Sequence, residues 1–220
     1  MVGNGPIRVF LVDDHALLRE SVSRVLEDEA DITVVGAVSN ADEAVASVVT
    51  AEPDVVLIDI DMPGLSCFEA TVQITQLCDQ VRLIFLSAFF HDRYIEQALR
   101  VEARGYMTKT EPPQNVVQAV RLVAAGKVWF SREVQSRIVA GTDGVTLGNE
   151  DRTRASTLST RELEILRYLA QGLSKKQIAT MLNLSVKTIE GHCEKLMSKI
   201  DIHDRVELAR FAIREGFAEA

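Results

Sequence analysis

Apolar residues along the first 126 positions fall in short blocks that alternate between two periods. Ile7-Arg8-Val9-Phe10-Leu11-Val12 is a β-rich run that stops at Asp13-Asp14. Leu17, Leu18, Val22, Val25 and Leu26 then recur every three to four residues, the spacing of an amphipathic helix. The same alternation repeats. Strands are predicted over Ile32–Val38, Val55–Asp59, Val81–Ser87 and Ala103–Thr108. Helices are predicted over Ala41–Val49, with Asn40 as N-cap, and over Phe68–Leu77, Tyr94–Val101 and Val116–Ala125, with Gly126 closing the last. Val55-Val56-Leu57-Ile58 runs unbroken into Asp59, and Met62-Pro63-Gly64 breaks the chain soon after, which reads as a strand buried on both faces. Five strands alternating with five helices predict an α/β, doubly wound parallel sheet of the flavodoxin-like kind.

The pattern changes beyond Gly126. Trp129 and Phe130 are expected to pack on the edge of the sheet, and a helical stretch is predicted from Arg132 to Ala140. Residues 141–157 hold three glycines, mixed charge and few apolar positions, the composition of a flexible linker. Seventeen such residues span roughly 20–25 Å root-mean-square. From Ser159 onward every element reads as helix. Ser159-Thr160-Arg161-Glu162 and Ser174-Lys175-Lys176-Gln177 are capping boxes. Ser185 caps a longer helix whose Ile189, Cys193, Leu196 and Ile200 make one apolar stripe, and a last helix covers about Val206–Arg214. Two helices joined by the short Asn183-Leu184 turn, inside a small all-α unit, make a helix-turn-helix. The expected division is residues 6–126, a connection with a short helix at 127–157, and 158–218.

Charge sharpens that division. Residues 1–126 carry 9 Lys and Arg against 19 Asp and Glu, net −10, whereas residues 156–220 carry 10 against 9, net +1. An acidic half and a near-neutral half imply different partners. Three cysteines without CxxC spacing fit a reducing cytosol and argue against a disulfide or zinc framework. No apolar run reaches a membrane span and no signal peptide is visible, so a cytoplasmic protein is expected, without a membrane partner.

The strand ends carry the candidate chemistry. In a doubly wound sheet the carboxyl ends share one edge, where ligands bind. That edge would bring Asp13 and Asp14, Asp59, Ser87 and Lys109 together. Three carboxylates repel unless a cation sits among them, and hard oxygen ligands suit Mg²⁺. No His or Cys is expected at these ends, which argues against zinc. The reaction this supports is attack of the Asp59 carboxylate on phosphorus to give an acyl phosphate. Lys109 would neutralise phosphoryl charge, and Ser87 would donate a hydrogen bond to the new group. In the second half, the helix starting at Ser185 is expected to enter the major groove N-terminus first, with Ser185 and the N–H groups behind it on a phosphate. Lys175, Lys176, Lys187, Lys195 and Lys199 would add backbone contacts.

Asp13-Asp14, Asp59 with Met62-Pro63-Gly64, Ser87-Ala88 and Gly105-Tyr106-Met107-Thr108-Lys109 resemble the receiver domain of two-component response regulators, over about residues 6–126. The resemblance implies a phosphoaspartate at Asp59, donated by a sensor histidine kinase. It also implies Mg²⁺ held by Asp13 or Asp14, Asp59 and the Asp61 main-chain carbonyl, and a switch in which Ser87 moves and Tyr106 turns inward. Cys67, where relatives often carry Gly, and Glu102-Ala103-Arg104, where they often carry a small Gly-Ala turn, depart from the pattern. Leu158 to Glu162, Gly172-Leu173-Ser174, Gln177-Ile178-Ala179, Leu184-Ser185 and Lys187-Thr188-Ile189-Glu190-Gly191-His192 are similar to the LuxR-type DNA-binding domain, over about residues 155–218. Together the halves resemble a NarL/FixJ-type response regulator, which implies a phosphorylation-controlled transcription factor. The weak net +1 of the second half predicts modest affinity for a single domain, and so a homodimer on paired half-sites of double-stranded DNA. Glu190 and Glu194 are acidic on the face expected to meet DNA. His192 reads either as a DNA contact or as a packed helix residue.

Two other readings stand beside this one. Asp59-Ile60-Asp61 has the Asp spacing of haloacid dehalogenase-type phosphatases, though no cap insertion is present and the helix-turn-helix would be unexplained. A receiver that no longer takes phosphate would keep only the interaction role, yet all five site residues are there. The expectation is a regulator with no turnover beyond slow loss of its own phosphoryl group.

Overall fold

In the computed structural model of the chain, the described residues are 5–62, 66–88, 92–141, 144–147, 154–215 and 217–218. Pro63 and Gly64, the turn predicted after Asp59, lie outside them. The chain divides into two units, one built on a sheet and one built of helices.

The sheet unit alternates β1 (Ile7–Val12), α1 (Ala16–Glu27), β2 (Ile32–Val38), α2 (Ala41–Ala51), β3 (Val55–Asp59), α3 (Cys67–Leu77), β4 (Arg82–Ser87), α4 (Asp92–Arg100), β5 (Gly105–Thr108) and α5 (Pro113–Ala124). The strands pair in parallel in the order β2-β1-β3-β4-β5, and β6 (Trp129–Phe130) extends the edge beyond β5. Trp129 and Phe130 therefore do pack on the sheet edge, as strand residues. Every residue of β3 is buried, which is why its sequence runs apolar without alternation. One face of the sheet presents Val9, Leu11, Val55, Leu57, Ile84, Leu86 and Met107, which form a core with Leu26 of α1 and Val116, Val120 and Val123 of α5. On the other face Phe85 meets Phe68 of α3 with ring centroids 4.9 Å apart. Order reverses between β1 and β3, and in such sheets the crevice at that reversal is the binding edge.

Two local features depart from a regular ladder. The β1–β2 register slips between Val9, which pairs with Val34, and Phe10, which pairs with Gly36, leaving Val35 as the extra residue of a bulge. Gly36 is required there, because a Cβ would run into the Phe10 ring. Glu102, closing the loop before β5, stands at φ 55°, the left-handed region.

The helical prediction over Arg132–Ala140 is corrected. Only Arg132–Gln135 forms a helical turn, α6, and β7 (Ile138–Gly141) pairs antiparallel with β8 (Gly144–Leu147). Ile138 and Val139 are β-branched and favour the extended state over a marginal short helix. Part of the stretch read as linker is thus a hairpin.

The helical unit holds a 3₁₀ turn (Arg154–Thr157), α7 (Thr160–Ala170), α8 (Lys175–Met181), α9 (Val186–Ile200) and α10 (Arg205–Arg214). Both capping boxes form: Ser159 and Ser174 accept from the backbone N–H groups of Glu162 and Gln177, whose side chains return to the cap residues' N–H groups. Gly172, at φ 91°, ends α7 in the backbone region that favours glycine. Leu163, Leu166, Leu169, Ile178, Ile189, Cys193, Leu196, Ile200, Leu208 and Phe211 are buried.

Candidate functional site

Parallel pairing sets the site, because it brings the carboxyl ends of β1, β3, β4 and β5 to one edge. The backbone locks that edge. Asp13 N–H donates to Val38 O at 3.2 Å, Ile60 N–H to Leu86 O at 2.9 Å and Lys109 N–H to Ser87 O at 2.8 Å. Asp59 is the last residue of β3, fully buried, and its Oδ1 accepts from the Asp61 N–H at 3.0 Å. Lys109 reaches in from beyond β5 and places Nζ 2.7 Å from Asp59 Oδ2 and 3.0 Å from Asp13 Oδ2. Ser87 is fully buried at the end of β4. Tyr106, also fully buried, pairs with Phe85 two residues before Ser87, so register puts it behind Ser87 on the same face of the sheet.

The electrostatics follow from burial. Loss of water pushes the Asp59 carboxyl up to about 7; Lys109 pulls the other way, while Asp61 and Asp13 add to the rise. Burial alone would lower Lys109, but the Asp59 and Asp13 carboxylates outweigh it and hold the ammonium above its ordinary value. One cation therefore bridges two buried carboxylates.

His15 is the residue that strand-end reasoning overlooked. Its Nδ1 lies 2.7 Å from Asp14 Oδ1, 3.4 Å from Asp13 Oδ1 and 4.0 Å from Asp59 Oδ2. The expectation of no histidine at these ends is thus corrected. The cause is local: Asp13 Oδ1 accepts from the His15 N–H at 2.7 Å in a tight turn just before α1, which brings the imidazole back over the edge. The signal was one residue beyond the Asp13-Asp14 pair. Asp13, Asp14, His15 and Asp59 each offer a ligand atom within 4.8 Å of one another, so the cluster could hold a metal ion. Carboxylate oxygens dominate the set, which fits a hard divalent cation.

In the helical unit, α8 and α9 are joined by a tight turn in which Asn183 takes φ 51° and Leu184 N–H donates to Ala179 O at 2.9 Å. Ser185 caps α9 by accepting from the Thr188 N–H at 3.1 Å. Ser174, Lys175, Lys176, Gln177, Ser185, Lys187, Thr188, Glu190, Glu194 and Lys195 are exposed, and Gly191 and His192 are half-buried. Burial, followed by the nearby Arg161 charge, holds the His192 imidazole below its ordinary value. Lys199 also serves the fold: its Nζ sits 2.6 Å from Oε2 of the buried Glu162. Lys175 Nζ lies 3.9 Å from Glu190 Oε1.

Known proteins match both units. A family model for the response regulator receiver domain matches residues 9–121, and one for bacterial regulatory proteins of the luxR family matches residues 156–212. The chain is 35% identical over 216 residues to the response regulator UvrY of Escherichia coli (strain K12), covering 97% of each chain. It is 32% identical over 218 residues to the oxygen regulatory protein NreC of Staphylococcus aureus (strain MRSA252), covering 97% of this chain and 100% of that one. Among solved structures, a LuxR-family two-component response regulator from Aurantimonas sp. SI85-9A1 is 30% identical with a TM-score of 0.57, over 60% of this chain and 94% of that one. RcsB from Salmonella typhimurium, 20% identical with a TM-score of 0.73 over 96% of this chain and 98% of that one, shares the fold. No helix among the described residues is long and apolar enough to cross a membrane. A parallel sheet ending in an acid cluster, a helix-turn-helix beyond it, and relatives of the same length and order place the chain among the NarL/FixJ-type response regulators, transcriptional regulators of two-component systems with a receiver and a LuxR-type DNA-binding domain.

Proposed function

We propose that Asp59 is the phosphoacceptor of a cytoplasmic, phosphorylation-dependent transcription factor. The observation that carries this is the fully buried Asp59 carboxylate with the Lys109 ammonium 2.7 Å away at the reversal point of the sheet. One Asp59 oxygen attacks phosphorus of a phosphohistidine on a sensor kinase. The P–N bond breaks, the imidazole leaves with the electron pair, and an acyl phosphate remains. Lys109 moves from the Asp59 carboxylate to a phosphoryl oxygen, keeping Asp13 as its second partner. Asp13, Asp14, Asp59 and the main-chain carbonyl of Asp61 would hold Mg²⁺, which offsets charge on the transferring group when bound. His15 faces the same cluster from the exposed side.

Ser87 turns its hydroxyl to the phosphoryl group, and Tyr106 fills the space behind it. Residues 6–126 receive the signal, 127–157 connect, and 158–218 bind DNA. The active species is a homodimer on paired half-sites, since a DNA-binding half of net charge +1 gains little from phosphates alone. Ser185 and the α9 N-terminus take a phosphate. Ser174, Lys175, Lys176, Gln177, Lys187 and Lys195 flank it, and Thr188, Glu190, Gly191, His192 and Glu194 face the groove. The protein turns over no substrate beyond slow loss of its own phosphoryl group.

The test is intact-mass spectrometry after incubation with Mg²⁺ and acetyl phosphate, paired with sizing and a DNA-binding titration. The expected result is one phosphoryl group on the wild type, none on Asp59→Asn, and tighter dimerisation and DNA binding only in the former. Equal phosphoryl incorporation in Asp59→Asn would remove Asp59 from this role. Phosphorylation that moved neither assembly nor binding would remove the coupling.

A further inference from the structure

α9 carries three choices that work against its own stability, and they lie together. Glu190 and Glu194 stand one turn apart on the exposed face, so like charges oppose each other at i, i+4. Gly191 lies beside Glu190 in the interior of a 15-residue helix, where glycine is the costliest residue short of proline. The fold does not require that glycine. Its φ lies outside the left-handed region, and a Cβ built on it would meet nothing within 4 Å. The buried stripe of Ile189, Cys193, Leu196 and Ile200 does not include it. Local preferences broken together on one stretch of helix surface mark a surface shaped for something outside the chain.

The neighbours indicate its chemistry. Lys175, at the start of α8, stands 3.9 Å from Glu190 and offsets part of the repulsion that a phosphate backbone would exert on the carboxylate. Both side chains remain about half exposed, at 45% and 50%. A carboxylate only accepts hydrogen bonds. Of the base edges in the major groove, guanine and thymine present acceptors, and adenine sets an N7 acceptor beside its amino group, which repels the second carboxylate oxygen. Cytosine presents N4–H₂ alone, and glutamate is suited to it. A missing side chain at 191 lets the helix backbone approach the base edges more closely than any other residue would.

We propose that Glu190 is a specificity-determining residue that accepts from a cytosine amino group in each half-site, with Gly191 providing the close approach. This rests on the DNA-binding reading of the helical unit. The test uses the full chain treated with acetyl phosphate, selecting from a randomised duplex library, in parallel with Glu190→Gln, Glu190→Ala and Gly191→Ala. The wild type should enrich half-sites with one position held as C·G. Glu190→Ala should relax that position about fivefold or more, and Glu190→Gln should shift it towards adenine. Gly191→Ala should raise the melting temperature of the helical unit while weakening binding to the selected site by about tenfold or more. If the Glu190 variants select the wild-type sequence unchanged, the assignment is wrong although the chain binds DNA. Full-strength binding by Gly191→Ala would overturn the close approach. If the wild type enriches no sequence, the DNA-binding reading fails and takes this assignment with it.

Discussion

Asp59 should make the receiver less stable as pH rises, and Asp59→Asn should remove the effect. In the unfolded chain this aspartate ionises near 3.8, whereas burial in the folded receiver pushes it up to about 7. Between those values the folded chain holds a proton that the unfolded chain has released, so unfolding becomes easier with each unit of pH. The window is about 3 pH units wide, and at about 1.4 kcal/mol per unit the penalty reaches about 4 kcal/mol above pH 7, as an upper bound. Asparagine keeps the shape and carries no charge, and any cost of depriving Lys109 of one partner is a constant offset while Lys109 stays protonated. The stability difference between Asp59→Asn and wild type should therefore grow between pH 4 and pH 7 and level off beyond. The chain has one tryptophan, Trp129, at the edge of the receiver sheet, so its fluorescence during urea unfolding reports this unit. The experiment is run with chelator. Adding Mg²⁺ at pH 8 should then stabilise the wild type and narrow the gap. A difference that is flat or falls with pH would refute the argument that an under-compensated buried carboxylate dominates this site.

Two further substitutions probe the scaffold. Gly36→Ala should cost about 1–3 kcal/mol in the same urea assay, because its Cβ must displace the Phe10 ring in a packed strand pair; an unchanged midpoint would mean that the bulge relaxes freely. Lys199→Met should cost the helical unit about 1.5–3 kcal/mol in thermal melting by circular dichroism, by stripping the buried Glu162 of a charged partner 2.6 Å away. Burial opposes ionisation of Glu162, but hydrogen bonds from Lys199 and the Ser159 N–H hold it below its ordinary 4.5. Its contribution is therefore present above pH 4.5 and lost as pH falls through the folded value, so the gap between variant and wild type should close in acid.

Much of this arrangement was legible in sequence, for definable reasons. Asp59 stood out because β3 is buried on both faces and its sequence is apolar up to the carboxylate. Parallel topology then carried Asp13, Ser87 and Lys109 to the same edge without any knowledge of side-chain geometry. Caps were legible because Ser159, Ser174 and Ser185 act within three residues of themselves. What stayed hidden depends on contacts or turns with no periodic signature. His15 joins the site through the turn in which Asp13 accepts from its N–H. Lys199 pairs with Glu162, 37 residues earlier and on another helix. The hairpin of β7 and β8 was masked by a glycine-rich, charged setting that resembles a linker, and the bulge in β2 turns on one ring contact.

That bulge bears on solubility. β2 ends the sheet, and its sequence, Ile32-Thr33-Val34-Val35-Gly36-Ala37-Val38, has no charge and no proline. Such an edge is a template for adding strands from other copies, the first step of aggregation. The extra residue at Val35 interrupts the ladder, and a bulge of this kind bends and twists a strand, so that a second copy laid against it should fall out of register within a few residues. A deletion of Val35 would restore a continuous ladder along this uncharged edge, and with it a route to insoluble material that no loss of DNA binding or phosphorylation would foretell.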